Sequence, residues 1–396
     1  MVMWRRNLWT LVTAVILCGA SYTMIIPFLP LYLLDLGVSP ANVKIWAGVI
    51  FAASFLVAAL LAPYWGRRAD RSGKRKMIMR AGFSLAIVYF LGAWVRDPVE
   101  LFMVRILQGF ASGFVPASMA LVVASAPQDQ LGFSMGIMQT GLVVGGIIGP
   151  LAGGILAHLF GMRLSFVVAA MGIFAATLAV VALVEEPPST PDPQEGSLMG
   201  DLKTAFENRV LVKMLSILFV VQIVSMTLQP LMALYIAELQ GTLEGVVLTA
   251  GIVYSLSGIA SAIAAPLWGR AGQSKGFYAV LVIAFAGAGI FTMGQFFASD
   301  IYQFGLLQFL MGMFLIGVFP AVNIIALGAT EANFQGRVFG LTNASNQLGA
   351  MVGPLIGGFL SSWIGIRPLF LFTGTTLLLL GACVFFGFIH RTAEGE

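Results

Sequence analysis

The stretch WGRRADRSGKRK, Trp65 to Lys76, carries six bases and one acid, Asp70, in a chain that is only 10% charged. A carboxylate so placed can pair with neighbouring arginines or sit on a helix N-terminus, whose partial positive charge is worth about 0.3–1 kcal/mol to it. The blander alternative is a helix-end acid in a solvated basic loop. A second charge, Arg105, lies inside an apolar run. Such an arginine is costly in a membrane, so it normally faces a partner or a wet cavity. Asp35 and Glu238 end two apolar runs, as hydrated helix-end acids or, in the sharper reading, with Asp35 pairing with Arg105 and taking a proton on release.

Amides form a third group. Asn343, Asn346 and Gln347 fall at i, i+3 and i+4 and share one helix face. Gln139 matches Asn343 at a spacing of 204, Gln222 and Gln229 lie two turns apart, and Asn323 sits in another run. They either line a polar cavity or hold helices together, at about 0.6 kcal/mol each. Phe28, Tyr32, Phe51, Phe55, Tyr235, Tyr254 and Phe339 supply surface for a flat apolar compound, and the many methionines adapt to several shapes. The chain has no Cys–His pair, no two-carboxylate site, no metal cluster and no G-x-x-x-x-G-K-[ST] loop. An enzyme, a metal site and a cofactor are not expected. Cys18 and Cys383 lie in separate apolar runs, and only His158 and His390 could add ligands.

The elements that must position these residues are apolar helices. The chain has 396 residues, 59% of them hydrophobic, whereas a soluble domain is about a quarter charged. The apolar runs reach the roughly 20 residues a bilayer-crossing helix needs. Twelve spans are predicted, near 8–34, 45–64, 78–95, 99–122, 132–157, 164–184, 213–237, 246–267, 277–297, 301–326, 336–360 and 366–389. The first is too long for a signal-peptide core and reads as a retained helix. With the N-terminus inside, sixteen Lys and Arg fall on the cytoplasmic side and four outside, a positive-inside bias that makes both termini and the Trp65–Lys76 loop cytoplasmic. The basic balance is therefore topological, and a nucleic-acid partner is not expected.

The polar, Pro-rich stretch from Glu185 to Arg209 reads as a linker, with a short helix near 198–207. The domains predicted are a six-helix bundle over 1–184, a cytoplasmic linker over 185–212 and a second six-helix bundle over 213–396. The two sides match at a spacing of 203 to 204. Pro27, Tyr32 and Asp35 align with Pro230, Tyr235 and Glu238; APYWGR aligns with APLWGR, Pro116 with Pro320, and GPLAGG with GPLIGG. One recurring period indicates a parallel duplication of a six-helix unit, in which two bundles rock about a central site.

Three stretches carry a family resemblance. The pattern from Gly66 through Asp70, Arg71 and Gly73 to Arg75 resembles motif A of the major facilitator superfamily. RILQG, Arg105 to Gly109, resembles its motif B, and GGIIGPLAGG, Gly145 to Gly154, resembles the antiporter motif C. With the PFLPLY start, the whole chain is similar to the twelve-span drug:proton antiporter branch, within it the MdtG-like multidrug exporters. Two departures stand out: Arg68 replaces a usual apolar residue, and the second copy, WGRAGQSKG, lacks the acid.

The resemblance implies an all-α membrane protein of two pseudo-symmetric six-helix bundles. It implies alternating-access export of hydrophobic small molecules or drugs in exchange for protons, from a functional monomer in the lipid bilayer of a bacterial inner membrane. Asp70 would interact with the start of the eleventh span and neighbouring arginines when the cytoplasmic side is closed, and Arg105 would influence a proton carrier on the first span. That span reads ASYTMIIP where many relatives place an acid. Gly145, Gly149, Gly153 and Gly154 would let a neighbouring helix approach, and Pro150 would bend its own. With no embedded carboxylate, neutral or weakly charged compounds fit better than strictly cationic ones. The runner-up is proton-coupled export of a sugar or another polar metabolite, which the amides would suit; a non-transporting receptor would have no need of gate residues.

Overall fold

The computed structural model describes residues 3–187, 204–330 and 334–393, without the side chains of Asp70, Gln335, Gly336 and residues 388–393. The described residues are mostly helical and contain no strand. Eleven helical stretches among them are long and apolar enough to cross a membrane. The remaining long helix, Lys74–Gly92, opens with Lys74, Arg75 and Lys76 and carries Arg80. Those charges set it apart from the others. The helix expected near 198–207 lies mostly outside the described residues.

Two compact units are present, Met1–Pro193 with Leu243–Ser255, and Gln194–Thr242 with Leu256–Glu396. The first contains α1 (Met3–Met24), α2 (Leu29–Asp35), α3 (Val43–Ser72), α4 (Lys74–Gly92), α5 (Pro98–Phe110), α6 (Phe114–Ser125), α7 (Leu131–Phe160) and α8 (Met162–Leu183). The second contains α9 (Arg209–Leu228), α10 (Met232–Gln240), most of α11 (Val246–Lys275), α12 (Phe277–Gly294), α13 (Ile301–Leu315), α14 (Val318–Gly328), α15 (Gln335–Ile364) and α16 (Arg367–Ala393).

Four spans predicted as continuous helices are broken. The span over 8–34 is α1 and α2, because Pro27 and Pro30 cannot continue an i to i−4 ladder. The span over 99–122 breaks between α5 and α6, where Gly113 turns left-handed at φ 111°. The spans over 213–237 and 301–326 break likewise, into α9 with α10 and α13 with α14. Tight inter-helix corners repeat across the units. Gly73 (φ 97°) joins α3 to α4, and Gly276 (φ 87°) joins α11 to α12. Side chains other than glycine rarely adopt that backbone. Asp97 caps α5 by accepting from the amides of Val99 and Glu100, and Asp300 caps α13 from Tyr302 and Gln303.

In the first unit α1 packs on α7 and α8, α4 on α8, and α3 on α5; in the second α9 packs on α15 and α12 on α16. The second unit's core is Leu218, Val221, Leu281, Ala284, Phe285, Val318 and their neighbours, nearly all without exposure. The close helix pairs depend on glycine. A Cβ on Gly145 would stand 2.8 Å from the Ile16 carbonyl, and one on Gly349 would stand 2.6 Å from that of Phe219.

Candidate functional site

Arg105 is the most constrained charge in the first unit, with 7% of its surface exposed. Proline at the first position of α5 and the Asp97 cap fix the start of that helix. One turn beyond Arg105, Gly109 has its missing Cβ only 2.5 Å from the Ser54 carbonyl, so α3 lies tight against α5. That approach brings the Phe51 ring to 5.9 Å from the guanidinium carbon, inside cation–π range. Arg105 Nη1 donates to Gln108 Oε1 at 2.7 Å, and Gln108 Nε2 donates to the Tyr89 hydroxyl at 3.1 Å. Arg105 Nε is buried and has no partner. The result is a polar chain from α5 to α4 in an apolar surround. Gln108 stands in RILQG at i+3 from Arg105, a spacing that could have pointed to it. Tyr89 carried no comparable signal.

Asp35 ends α2 as an exposed residue and does not pair with Arg105 among the described residues. Its helix is held by Tyr32, which donates to the Gly92 carbonyl at 3.2 Å and packs on Phe166. Phe28 meets the same Phe166 ring edge-on at 5.9 Å. Phe28 and Tyr32 are 0% and 1% exposed, and so is Tyr235, at 0%, in the second unit. There Tyr235 donates to the Gln295 carbonyl at 3.2 Å and packs on Phe304 and Phe370. In this conformation all three are core aromatics, and a ligand reaches them only after side chains move.

The Trp65–Lys76 loop is the end of α3, the Gly73 corner and the start of α4. Asp70 and Arg71 lie in the last turn of α3; Arg71 is exposed, and the Asp70 side chain lies outside the described residues. Gly66 faces open space, so packing alone does not demand glycine there. A carboxylate that sequence reasoning missed meets this corner. Glu186 accepts from the amides of Lys74 at 2.6 Å and Arg75 at 3.1 Å, filling the α4 N-terminus. Glu185 is anchored alongside. Its carbonyl and amide bond the buried Asn7 side chain at 2.6 and 3.0 Å, and its carboxylate pairs with Arg6 at 2.6 Å. Glu185 and Glu186 are thereby strapped across the loop and α1. Arg80 stacks 3.5 Å from the Trp65 ring centre and donates to the carbonyls of Phe110 and Ser112, tying the α5–α6 break to the end of α3.

The glycines at 145, 149 and 153 form one stripe on α7, each against successive turns of α1. Thr23 Oγ1 donates to the Gly145 carbonyl across this contact at 3.2 Å. The opposite side of α7 also lacks side-chain bulk. Gly251, at the start of α11, has its missing Cβ 2.5 Å from the Pro150 carbonyl, and Gly154 faces Val247 at 3.0 Å. Ser255 Oγ donates to the Ile147 carbonyl at 2.7 Å. All of these residues lie in the first unit.

Gln139 is exposed on α7. In the second unit Gln222 lies on α9, Gln229 in the short 3-10 turn after it, Asn323 on α14, and Asn343, Asn346 and Gln347 on α15; these three helices pack on one another. Asn343 is exposed and Asn346, Gln347, Gln222, Gln229 and Asn323 are half-buried. Gln222 packs on Gly349, one turn from Asn346 on the same side of α15. Asn346 Oδ1 is a buried acceptor without a protein partner.

A family model described as Major Facilitator Superfamily matches residues 11–248 and 214–396. The chain is 31% identical over 98% of its length to the "Multidrug resistance protein MdtG" of Proteus mirabilis (strain HI4320), covering 95% of that protein. It is 30% identical over 95% of its length to the protein of the same name from Klebsiella pneumoniae (strain 342), covering 92% of it. Among solved structures it is similar in fold to a bacterial homologue of the human lysosomal transporter Spinster, inward-facing and occupied. The TM-score is 0.79 at 15% identity, over 96% of this chain and 95% of that one. It is also similar to the nucleoside transporter NupG, with TM-score 0.76 at 13% identity over 98% and 99% of the two chains.

Proposed function

The chain belongs to the Major Facilitator Superfamily and is a multi-pass membrane protein, and from that premise we propose that it is a multidrug efflux transporter. It exports hydrophobic small molecules in exchange for protons by alternating access. The observation that carries this reading is the similarity, at 31% identity over 98% of the chain, to a multidrug resistance protein. The buried Arg105 network supports it, because a packed structural helix has no need of a charge at that cost.

The finer reading has two bundles of six spans, 1–184 and 213–396, joined by a cytoplasmic linker over 185–212. Both termini lie in the cytoplasm, the membrane is the bacterial inner membrane, and the monomer is the working unit. Lys74–Gly92 completes the twelve spans, its charged first turn lying at the cytoplasmic surface. Asp70, Arg71, Gly66 and Gly73 set the inward/outward balance. Arg105 and Asp35 take part in coupling. Gly145, Gly149, Gly153 and Pro150 form the surface on which helices slide. Gln139, Asn343, Asn346, Gln347, Gln222, Gln229 and Asn323 contact substrate, and Phe28, Tyr32 and Tyr235 do so in another conformation. One observation favours a second reading, export of a sugar or other polar metabolite. The unpartnered Asn346 Oδ1 would accept from a substrate hydroxyl.

The test uses proteoliposomes with an inside-acid pH gradient, a fluorescent hydrophobic dye outside, and a protonophore control. Gradient-dependent uptake that Asp70→Asn and Arg105→Ala abolish is the expected result. A folded wild-type protein that moves sugars and no dye would replace the reading with the second one. Dye uptake untouched by Asp70→Asn would remove Asp70 from the cycle.

A further inference from the structure

Trp65 and Trp268 stand 203 positions apart on equivalent helices, α3 and α11, and their indole N–H groups fare differently. Trp268 Nε1 donates to the Met313 carbonyl at 2.7 Å, near the end of α13. The carbonyl that corresponds to it in the first unit, 203 positions earlier, is that of Phe110, at the end of α5. Trp65 does not hold it. Its Nε1 is buried and has no partner, although the Phe110 ring lies 5.3 Å from the indole. Arg80 has the carbonyl instead, through Nη1 at 3.0 Å, and its Nη2 donates to the Ser112 carbonyl at 3.0 Å. The guanidinium carbon sits 3.5 Å from the centre of the same indole ring. Where Arg80 stands, the second unit has Ile283, which has no donor to compete with its tryptophan.

We propose that Arg80 and Trp65 exchange on the Phe110 carbonyl during the transport cycle, so that the pair is a positioning switch at the break between α5 and α6. This rests on the exporter reading and names a moving part of it. In the conformation described, two charge-assisted bonds and a stacked ring hold Arg80 in place. That form leaves a buried indole N–H unmade, which is disfavoured. It also needs Gly113 at φ 111°. That rotation sets the plane of the Ser112–Gly113 peptide and aims the Ser112 carbonyl at Arg80. Pro116, four residues on from Ser112, has no N–H with which to draw this carbonyl back into the helix. In the other form Trp65 bonds the Phe110 carbonyl, as Trp268 bonds that of Met313, and the guanidinium withdraws to water. Arg80 is six residues past Lys74, about 9 Å along α4, so its long side chain can run back along the helix to the charged first turn. Each form makes a bond that the other lacks, which is what a two-state element requires.

The test labels tryptophan with 15N in the full-length protein and reads the indole N–H signals by NMR in nanodiscs. The chain has seven tryptophans, and Trp65→Phe and Trp268→Phe identify the two signals that matter. Without added compound, the Trp65 signal should lie upfield of that of Trp268, as an indole without an acceptor does. Arg80→Met frees the carbonyl, and should move the Trp65 signal to the hydrogen-bonded position while the unfolding midpoint holds. Dye uptake in proteoliposomes should fall about tenfold or more, because one of the two forms has been removed. Gly113→Ala disfavours the left-handed turn and should move the Trp65 signal the same way; it decides the matter if Arg80→Met does not fold. A Trp65 signal that stays in place in both variants would make Arg80 a fixed clamp and overturn the proposal. A signal that moves while uptake stays within about threefold of wild type would overturn it equally. An unmoved signal with wild-type dye uptake intact sinks this inference and leaves the exporter; no dye movement by a folded wild type sinks the exporter reading itself.

Discussion

The two units share a scaffold and differ in their charges. Tyr32 bonds the carbonyl 60 residues ahead of it, and so does Tyr235. Arg163 donates to the Val95 carbonyl at 3.2 Å, and Arg367 to that of Ala298 at 3.2 Å. Trp65 and Trp268 each sit beside a phenylalanine at the break of a span, Phe110 and Phe314. Against this common frame the first unit places Arg105, Arg80 on Trp65, and Glu186 on the α4 N-terminus. The second places Gln308 where Arg105 stands, and Trp268 bonds the Met313 carbonyl directly at 2.7 Å, without a stacked arginine. What the two units share holds helices together. What diverged is charged, and charge in an apolar bundle is where transport chemistry concentrates.

The comparison breaks most violently at the glycine stripes. Gly149→Val and Gly353→Val push a branched side chain into the backbones of Ala20 and Ile223. Overpacking of this kind costs about 1–3 kcal/mol or more. Both variants should lose the monodisperse peak in size-exclusion chromatography, whereas Gly136→Ala, which faces open space, should keep it. Tolerance of one valine and not the other would show that the stripes do not serve one common purpose.

Arg105→Ala and Gln308→Ala sharpen the contrast in activity. The first should lower gradient-driven uptake about a hundredfold, the size of effect expected when a charged group that takes part in coupling is removed. The second should change it less than about threefold. Equal losses at both positions would mean that the buried polar residue is structural in each unit.

Glu186→Gln probes the strap that the first unit lays across its basic loop. Loss of the charged cap should cost about 1 kcal/mol, read as a lower unfolding midpoint in detergent. Uptake should become less tightly dependent on the gradient if the strap steadies the Gly73 corner. A midpoint identical to wild type would reduce Glu185 and Glu186 to a surface contact.

Much of this architecture was legible in the sequence because it rests on periodicity. The 203–204 spacing paired positions such as Tyr32 and Tyr235, which make matching hydrogen bonds, and the glycines four apart on α7 announced a close helix contact before any partner was visible. The breaks in four spans were less legible. Proline signalled the one between α1 and α2, but a single left-handed glycine, Gly113, gives no pattern to count. The site was read unevenly for the same reason. Arg105 stood out as a charge among apolar residues, while its partner Tyr89 lies on a different helix and resembles any buried aromatic. The type and paired spacing of Tyr32 and Tyr235 point to substrate contact and say nothing of a bond to the backbone. Their hydroxyls reach backbone carbonyls on distant helices, and no local spacing encodes that. The Glu186 cap escaped because its target amides are 111 and 112 residues away.

The smallest expected effect tests the scaffold that the two units share. Tyr32→Phe and Tyr235→Phe each remove one hydroxyl that donates at 3.2 Å to a buried carbonyl, leaving ring packing on Phe166 or Phe370 intact. A net hydrogen bond is worth about 1 kcal/mol, and an acceptor left unsatisfied adds to the loss. The two variants should therefore lower stability by similar amounts, and the double variant by about their sum, since the sites share no partner. Uptake by folded protein should change less than about threefold in each, because the ring proposed to meet substrate in the other conformation is kept. If Tyr32→Phe alone lowered uptake while stability fell equally, the first unit's tyrosine would have a transport role beyond its bond to Gly92, and the line between shared scaffold and divergent chemistry would move to include α2.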